Sequence, residues 1–242
     1  MVNEINNKTE NIEELKAELE RYRGAVKNII HEIKAPLTSI IGYAEFILED
    51  DKNQLVDEHK KSIEIILKNS KKICGFIDEL LLLIKTCNNI IDIKFEDINI
   101  NHLIDNVIKN YAVCAEKKGI KIYFESFLET EVIKQDPKFL EQILANIINN
   151  AIKYTNNGYI KINTYKNDKN VVIDVEDTGI GIPEEDKKRI FEEFFQASNN
   201  KIKNNGTGLG LSIAYSLAKK INADILVEST IDKGSKFSVV LS

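Results

Sequence analysis

The stretch NIIHEIKAPLT, residues 28 to 38, carries a histidine and an adjacent acidic residue, His31 and Glu32, on a predicted helix. An imidazole nitrogen is a nucleophile near neutral pH, because the ordinary pKa of histidine, about 6.5, leaves most of the side chain uncharged. The neighbouring carboxylate would orient the ring or accept its second proton. An ordinary polar helix surface has the same composition, so this stretch taken alone predicts either a nucleophile or a solvated histidine.

A second candidate lies on the predicted helix DPKFLEQILANIINNAIKYT, residues 136 to 155. Its Asn146, Asn150 and Lys153 follow one another at steps of four and three, which places them on one face of a helix. Two amide oxygens and an ammonium group would suit Mg²⁺ and the phosphates that it bridges. For this stripe alone a solvated helix face is the more common alternative, because Asn and Lys are frequent in the chain.

The stretch VVIDVEDTGIGIP, residues 171 to 183, ends a predicted strand at Asp177, with Gly179 and Gly181 in the turn that follows. The carboxylate could accept a hydrogen bond from an exocyclic amine such as that of adenine. The glycines would allow a ligand to approach the backbone closely. A plain turn after a strand is the alternative here.

In NNGTGLGLSIAYSLAKK, residues 204 to 220, three glycines precede a predicted helix, namely Gly206, Gly208 and Gly210. The free N–H groups and the positive dipole end of a helix N-terminus suit a phosphate. The spacing matches neither G-x-G-x-x-G, since residue 211 is leucine, nor the GK[ST] of a P-loop. The preceding RIFEEFFQASNNKIKNNG is aromatic and then polar, which would suit a mobile lid over a nucleotide or an ordinary surface loop.

The elements that must position these residues differ between the two halves of the chain. In the first half, apolar residues recur every seven positions, which predicts a long helix that pairs with a copy of itself. His31 falls at the heptad position farthest from this seam, and Pro36 should bend the helix just after it. The recurring residues are Ile5, Ile12, Leu19, Val26, Ile33, Ile40 and Ile47.

A second amphipathic helix is predicted after a connection at residues 50 to 55, because apolar residues recur at helical spacing from Ile63 to Ile84. Two such hairpins would close a dimeric four-helix bundle and bury both apolar stripes. The alternative is a helical pair that packs only within its own chain. It agrees less well with heptads that begin at residue 5.

From about residue 90 the pattern changes to mixed strands and helices. This order predicts an α/β sandwich with one sheet face covered by helices. The predicted strands are 90–100, 120–127, 158–165, 170–176, 223–229 and 235–241, and the predicted helices are 101–119, 137–154 and 208–221, with short helical pieces at 184–195.

Composition limits the classes of function. The chain has 242 residues, of which 43% are hydrophobic, so it can bury a sizeable core in one large or two modest domains. A formal net charge of -5 does not favour nucleic acid or an anionic membrane as the main partner. No apolar run approaches the roughly 20 residues that span a bilayer, and three well-separated cysteines favour a reducing compartment. We therefore expect a cytoplasmic protein, or the cytoplasmic part of a membrane-associated one.

Taken together, these stretches resemble the sensor histidine kinases of two-component signalling. HEIKAPLT is similar to the H-box, NIINNAIKYT to the N-box, DTGIGIP to the G1 box, RIFEEFF to the F-box and GTGLGLSI to the G2 box. Each box alone is of weak to moderate specificity, but all five occur once and in the family's order, over about residues 22 to 242. The resemblance implies an all-α helical hairpin that forms a dimeric four-helix bundle, followed by an α/β sandwich of the Bergerat ATP-binding type.

The resemblance also implies domain boundaries and residue roles. A coiled-coil or signal helix would span residues 1–21, the dimerisation and phosphoacceptor hairpin 22–89, and the catalytic ATP-binding domain 90–242. His31 would attack the γ-phosphate of ATP with help from Glu32, and the phosphoryl group would pass to an aspartate of a response regulator. Mg²⁺ would be bound by Asn146 and Asn150. The other implied nucleotide-binding residues are Lys153, Tyr154, Asp177, Gly179, Gly181, Gly206, Thr207, Gly208, Leu209 and Gly210.

Two departures from the family pattern affect the expected function. Members able to dephosphorylate their partner usually carry Thr or Asn four residues after the histidine, where this chain has Ala35. Alanine cannot position a hydrolytic water, so we expect weak phosphatase activity. Nothing before residue 22 is large enough for a sensor domain. Either a sensor was removed from the chain, or the N-terminal coiled coil takes its input from another protein.

Two other classes of function are the alternatives. A non-signalling ATPase of the same fold, of the chaperone or gyrase type, would hydrolyse ATP without forming a phosphoprotein, and it would leave HEIKAPLT unexplained. A catalytically inactive scaffold would keep the dimer without ATP chemistry. The retained Asn150, Asp177 and glycines argue against such a scaffold.

Overall fold

The computed structural model describes residues 30, 33–34, 36–48, 57–87, 92–128, 132–167, 169–197 and 207–242. The chain divides into two compact units, Met1–Lys85 and Thr86–Ser242. Four of the predicted functional residues and the predicted N-terminal helix lie outside the described residues. They are His31, Glu32, Ala35, Gly206 and the segment 1–21.

The first unit is a helical hairpin. Helix α1 includes residues 36–48 and, before them, residues 30, 33 and 34, and helix α2 is Asp57–Cys87. Lys34 of α1 forms an ion pair with Asp78 of α2, and Glu45 of α1 lies 2.7 Å from Lys71 of α2, oxygen to nitrogen. The helices are antiparallel, because the earlier residue of α1 pairs with the later residue of α2. The predicted helical hairpin is confirmed.

Two apolar stripes run along α1. Ile30 and Leu37 are buried in a cluster with apolar residues of α2. Ile33 and Ile40, which belong to the predicted heptad seam, are each 44% exposed within the single chain. The hairpin is thus closed by a stripe other than the predicted seam, and the seam residues lie at the surface of the hairpin.

The second unit alternates strands and helices. Its strands are β1 (Glu96–Asn99), β2 (Lys121–Ser126), β3 (Val132–Gln135), β4 (Tyr159–Asn167), β5 (Asn170–Asp177), β6 (Ala223–Thr230) and β7 (Gly234–Leu241), and its helices are α3 (Ile100–Lys117), α4 (Pro137–Tyr154) and α5 (Gly210–Lys220), with a short 3₁₀ helix at Glu184–Asp186.

Five of the strands form one sheet in the order β2-β4-β5-β7-β6. Strands β2 and β4 are parallel, and the other neighbouring pairs are antiparallel. Strands β1 and β3 form a separate antiparallel pair. Hydrogen bonding of this kind fixes which residues of adjacent strands stand side by side, and so it positions the ends of β5 and β7 next to each other.

One face of the five-stranded sheet is covered by helices. Along β4, Ile160 and Ile162 are buried, while the alternating Tyr159 and Lys161 are more exposed, as expected when one face packs on a core. The core is completed by the apolar face of α4, with Leu140, Ile143, Leu144, Ile147 and Ile148 fully buried. The predicted α/β sandwich is confirmed.

The structure differs from the predicted elements in three places. Of the short helical pieces predicted at 184–195, only the 3₁₀ helix Glu184–Asp186 is a regular helix, and residues 187–194 form turns and a bend. Of the described residues in the strand predicted over 90–100, residues 92–95 are not in a strand and only Glu96–Asn99 are, since each of these four pairs with one residue of the four-residue strand β3. At the other end Asn99 caps α3 by accepting a hydrogen bond from the His102 N–H at 2.9 Å. Strand β3 was not predicted. Its four residues, Val132–Gln135, are too few to show an alternating pattern, and it is held by pairing with β1.

Candidate functional site

Helix α4 sets the orientation of the predicted polar stripe. The side chain of Asp136 caps the helix by accepting a hydrogen bond from the Phe139 N–H at 3.0 Å, and Pro137 occupies the first turn. With the apolar face of α4 buried against the sheet, Asn146, Asn150 and Lys153 lie on a different, half-buried face. The structure therefore places these three residues along one stripe, as predicted.

Asn146 has unused hydrogen-bonding capacity. Its Oδ1 accepts a hydrogen bond from Gln142 Nε2 at 3.3 Å, whereas its buried Nδ2 has no partner. A buried polar group without a partner costs about 1–3 kcal/mol. The amide also faces the start of α5, since a Cβ added at Gly210 would lie 3.9 Å from Asn146 Oδ1. This corner therefore fits a polar group from outside the protein.

Asp177 ends β5 and is only 6% exposed. Its Oδ1 accepts a hydrogen bond from the Gly179 N–H at 2.8 Å, and the carboxylate also accepts one from the backbone N–H of Ser235. Burial raises the pKa of Asp177 to about 6, although these two amide donors act in the opposite direction. At neutral pH the side chain is still mostly ionised, so it can accept a further hydrogen bond.

The turn after β5 is attached to the end of α4. The Ile180 N–H donates to the backbone oxygen of Tyr154 at 3.3 Å. A Cβ at Gly179 would lie 2.6 Å from that same oxygen, so only glycine permits this approach. The side chains at the end of α4 form a local pair, with Lys153 Nζ donating to Tyr154 Oη at 2.9 Å. The Lys153 ammonium is also 4.5 Å from the centre of the Tyr154 ring.

The start of α5 is held against the aromatic stretch that precedes it. The Phe194 N–H donates to the Gly208 oxygen at 3.0 Å, and Phe194 itself has a positive φ of 61°. Gly208 also has a positive φ, 77°, and a Cβ there would lie 2.7 Å from the carbonyl carbon of Phe194. Thr207 accepts a hydrogen bond from the N–H of the buried Leu209 at 3.2 Å. The stretches RIFEEFF and GTGLGLSI therefore meet at this point.

The described site residues form one continuous set in the second unit. Asn146 lies beside Gly210, and Tyr154 is bonded to the turn that follows Asp177. The remaining predicted residues of the first unit, His31 and Glu32, lie outside the described residues. The second unit thus has a buried acceptor at one end, a half-buried polar stripe, and a helix N-terminus beside that stripe.

Comparison with known proteins identifies the family. Residues 22–86 match the His Kinase A (phospho-acceptor) domain. Residues 135–242 match the family described as histidine kinase-, DNA gyrase B- and HSP90-like ATPase. Histidine protein kinase SaeS of Staphylococcus aureus is 33% identical over 239 residues, which are 96% of this chain and 67% of that protein. The chain belongs to the histidine kinase family.

Solved structures of other histidine kinases have the same fold as this kinase. Full-length ShkA in complex with AMPPNP aligns with a TM-score of 0.77 at 24% identity, over 89% of this chain and 45% of ShkA. The complex of ThkA with the response regulator TrrA aligns at 0.62 and 28% identity, over 88% of this chain and 59% of that one. The isolated catalytic domain of ThkA aligns at 0.55 and 33% identity, over 61% of this chain and 95% of that domain.

Two residues of this kinase that contact the site were missed by the sequence patterns. Ser235 donates its backbone N–H to Asp177, and Ser229 is hydrogen-bonded to Ser235. The only sequence signal was the polar run STIDKGS between two predicted strands, which any hairpin turn would show. Within the described residues, no helix of the kinase has both the length and the apolar composition needed to cross a lipid bilayer.

Proposed function

We propose that this kinase transfers the γ-phosphoryl group of ATP to His31 and then to an aspartate of a response regulator. The observation that carries the nucleotide part of the proposal is the buried carboxylate of Asp177. Its two amide donors leave acceptor capacity at neutral pH. An exocyclic amine of adenine is a donor that would use this capacity. Asp177 and the backbone around Gly179 and Gly181 would then form the base end of the site.

The phosphates would lie at the other end, between α4 and the start of α5. The unpartnered Nδ2 of Asn146 would donate to a phosphate oxygen or, after a half-turn of the amide, Oδ1 would serve as a ligand of Mg²⁺ together with Asn150. When bound, Mg²⁺ would neutralise part of the charge on the phosphates. Lys153 would add a positive charge on the same stripe, with Tyr154 holding its ammonium group. Backbone N–H groups would come from the segment Gly206, Thr207, Gly208, Leu209 and Gly210.

The chemical step would use the imidazole of His31. One ring nitrogen would form a bond to the γ-phosphorus while the bond to the oxygen bridging the β- and γ-phosphorus breaks and ADP leaves. Glu32 would accept the proton of the other ring nitrogen or orient it. In the second step a carboxylate of the regulator would take the phosphoryl group and leave the imidazole neutral. The position of His31 within the phosphoacceptor family match, residues 22–86, supports its role.

We further propose that the kinase acts as a dimer with three functional parts. The exposed Ile33 and Ile40, with Tyr43 at 72% exposure, would pack against a second copy in a four-helix bundle. The parts would be a coiled coil at 1–21, the dimerisation hairpin at 22–89 and the ATP-binding domain at 90–242. ThkA is known in complex with the regulator TrrA, and a similar receiver domain is the expected partner here.

The proposed dimer can be tested by sedimentation. Ile40→Asp should yield monomers, whereas Thr38→Asp, at another exposed position of α1, should not.

Phosphorylation of His31 can be tested directly with γ-labelled ATP and Mg²⁺. The intact chain should acquire a label that is labile in acid and stable in alkali, and His31→Gln should abolish it. His59→Gln and His102→Gln are matched controls, because both histidines are exposed and lie elsewhere in the chain. Label that persists in His31→Gln would contradict the proposed acceptor. ATP hydrolysis without any label would instead favour an ATPase of the chaperone or gyrase type.

A further inference from the structure

The hydroxyl group of Ser229, near the end of β6, makes three hydrogen bonds. It accepts one from the backbone N–H of Ile182 at 2.8 Å and donates one to the backbone oxygen of Gly234 at 2.9 Å. Its third contact is with the hydroxyl of Ser235, also at 2.9 Å. One side chain therefore links the turn after β5 to both strands of the β6–β7 hairpin.

These contacts fix the direction of the hydrogen bond between the two serines. A hydroxyl has one proton and two acceptor lone pairs. The proton of Ser229 is used on Gly234, so the bond to Ser235 can form only if Ser235 donates. Ser235 is then left with its oxygen lone pairs as its remaining hydrogen-bonding capacity.

Ser235 stands beside the carboxylate that we assign to the base. Ser235 and Asp177 are directly opposite each other on the antiparallel strands β7 and β5, so their side chains share one face of the sheet. Both residues are buried, at 7% and 6% exposure. The two side chains therefore present acceptors to the same region.

The turn after β5 is bound to the hairpin at a second point as well. The Asp232 N–H donates to the Ile180 oxygen at 2.8 Å. A Cβ at Gly181 would lie 2.0 Å from the Thr230 oxygen, so the two backbones are in close contact. The Ser229 bond to Ile182 thus belongs to an interface that sets where the base end of the site lies.

We propose that Ser229 is a positioning residue that gives the nucleotide site its preference for a 6-amino purine over a 6-oxo purine. It does so by holding the Ser235 proton away from the base, so that Ser235 and Asp177 both act as acceptors. A 6-amino group donates to such a pair, whereas a 6-oxo group meets lone pairs. The inference rests on the proposed role of Asp177 in binding adenine.

Loss of the Ser229 hydroxyl should change the preference and not merely the affinity. In Ser229→Ala the Ser235 proton is released and can turn towards the base, where it would donate to a 6-oxo group. ATP should then bind more weakly and ITP, the inosine nucleotide, more tightly. We expect the preference for ATP, measured as the dissociation constant of ITP divided by that of ATP, to fall by about tenfold. This is the size expected for one hydrogen bond to a charged or oriented partner.

The experiment is titration calorimetry of the full chain with ATP and with ITP, in the presence of Mg²⁺. Ser229→Thr keeps the hydroxyl and should retain the preference. Ser238→Ala is the control, because it also removes a serine hydroxyl. Ser238 lies on β7, opposite Asp174, and its side chain faces the other side of the sheet. This substitution should leave the ratio unchanged. Melting temperatures of each variant report on folding, and Ser229→Cys, a weaker donor of similar size, replaces Ser229→Ala if that variant does not fold.

Two results would overturn the inference in distinguishable ways. If Asp177→Asn abolishes the preference for ATP over ITP but Ser229→Ala changes the dissociation constants of ATP and ITP by the same factor, Ser229 has only a structural role. If Asp177→Asn also leaves the preference unchanged, the proposed base-binding role of Asp177 is itself wrong, and the inference fails with it. A reduced preference for ATP over ITP in Ser229→Ala, together with an unchanged preference in Ser229→Thr, supports the inference.

Discussion

Asp177 and Ser235 are cross-strand neighbours at the ends of β5 and β7, and the backbone N–H of Ser235 donates to the Asp177 carboxylate. With the Gly179 N–H, this carboxylate has two amide donors in an otherwise buried position. The donors lower its pKa and burial raises it, and burial prevails, so the pKa is about 6. The side chain therefore changes its charge within an experimentally accessible pH range.

Nucleotide affinity should depend on this titration. An adenine amine needs the ionised carboxylate as its acceptor, and below a pH of about 6 the carboxylate of Asp177 becomes protonated in the free protein. The affinity for ATP should thus fall by up to about fourfold as the pH is lowered from 7.5 to 5.5, because about a quarter of the Asp177 carboxylate is still ionised at pH 5.5. Calorimetric titration with ATP and ITP in the same buffers measures the effect.

ITP is the control for this experiment, because its triphosphate titrates like that of ATP. The affinity for ATP divided by that for ITP should therefore fall as the pH is lowered in the wild type, and it should stay constant in Asp177→Asn. A ratio that stays constant in the wild type as well would show that Asp177 does not bind the base.

The same carboxylate should reduce the stability of the nucleotide-free kinase above pH 6. The folded-state pKa, about 6, is higher than the reference value of 3.8, so the folded state binds the proton more tightly than the unfolded state does. The cost of ionising the buried group is absent below about pH 3.8 and fully present above about pH 6. The difference between the two pKa values corresponds to at most about 3 kcal/mol.

Asp177→Asn should accordingly raise the free energy of unfolding at pH 8 by about 1–3 kcal/mol. The gain should shrink at pH 5, where the folded wild type is already protonated. Urea unfolding at both pH values measures it, with Glu116→Gln, at an exposed position on α3, as the control. An equal effect of Asp177→Asn at pH 8 and pH 5 would rule out ionisation as the cause.

The helices and the polar stripe could be predicted because helical periodicity alone fixes a face. Asn146, Asn150 and Lys153 share a stripe whatever α4 packs against. Ser229 and Ser235 could not be predicted in the same way, because their contact depends on the register of the β6–β7 hairpin and on the turn after β5. The alternation of polar and apolar residues along a single strand shows neither this register nor the position of the turn.

The same distinction holds for the short elements. Strand β3 exists because β1 lies beside it, and β1 ends where Asn99 caps the next helix. Local alternation over residues 90–100 predicted a longer strand because it could not show that the pairing partner, β3, offers only four residues. Pairing between segments distant in sequence decided the outcome in both cases.

Ala35→Thr should introduce phosphatase activity towards the phosphorylated regulator. A threonine hydroxyl can donate to and accept from a hydrolytic water, whereas a methyl group cannot. With ADP present, release of phosphate from a purified phospho-regulator should rise by about tenfold or more over the parent chain. Ala35→Val is the control, since valine has nearly the shape of threonine without its hydroxyl. Rapid dephosphorylation by the unmodified chain would show that Ala35 does not limit this reaction.

Asn146→Ala should slow the phosphorylation of His31 without lowering the melting temperature. The substitution removes a buried Nδ2 that has no hydrogen-bond partner within the protein, so the melting temperature should stay the same or rise. It also removes the proposed contact with Mg²⁺ and phosphate, so labelling of His31 should slow by about 100-fold, as when one oriented group is lost from a phosphoryl-transfer site. Asn149→Ala is the matched control, because Asn149 is exposed on the same helix. Slower labelling accompanied by an equal loss of stability in Asn146→Ala would mean that the residue supports the fold and not the phosphates.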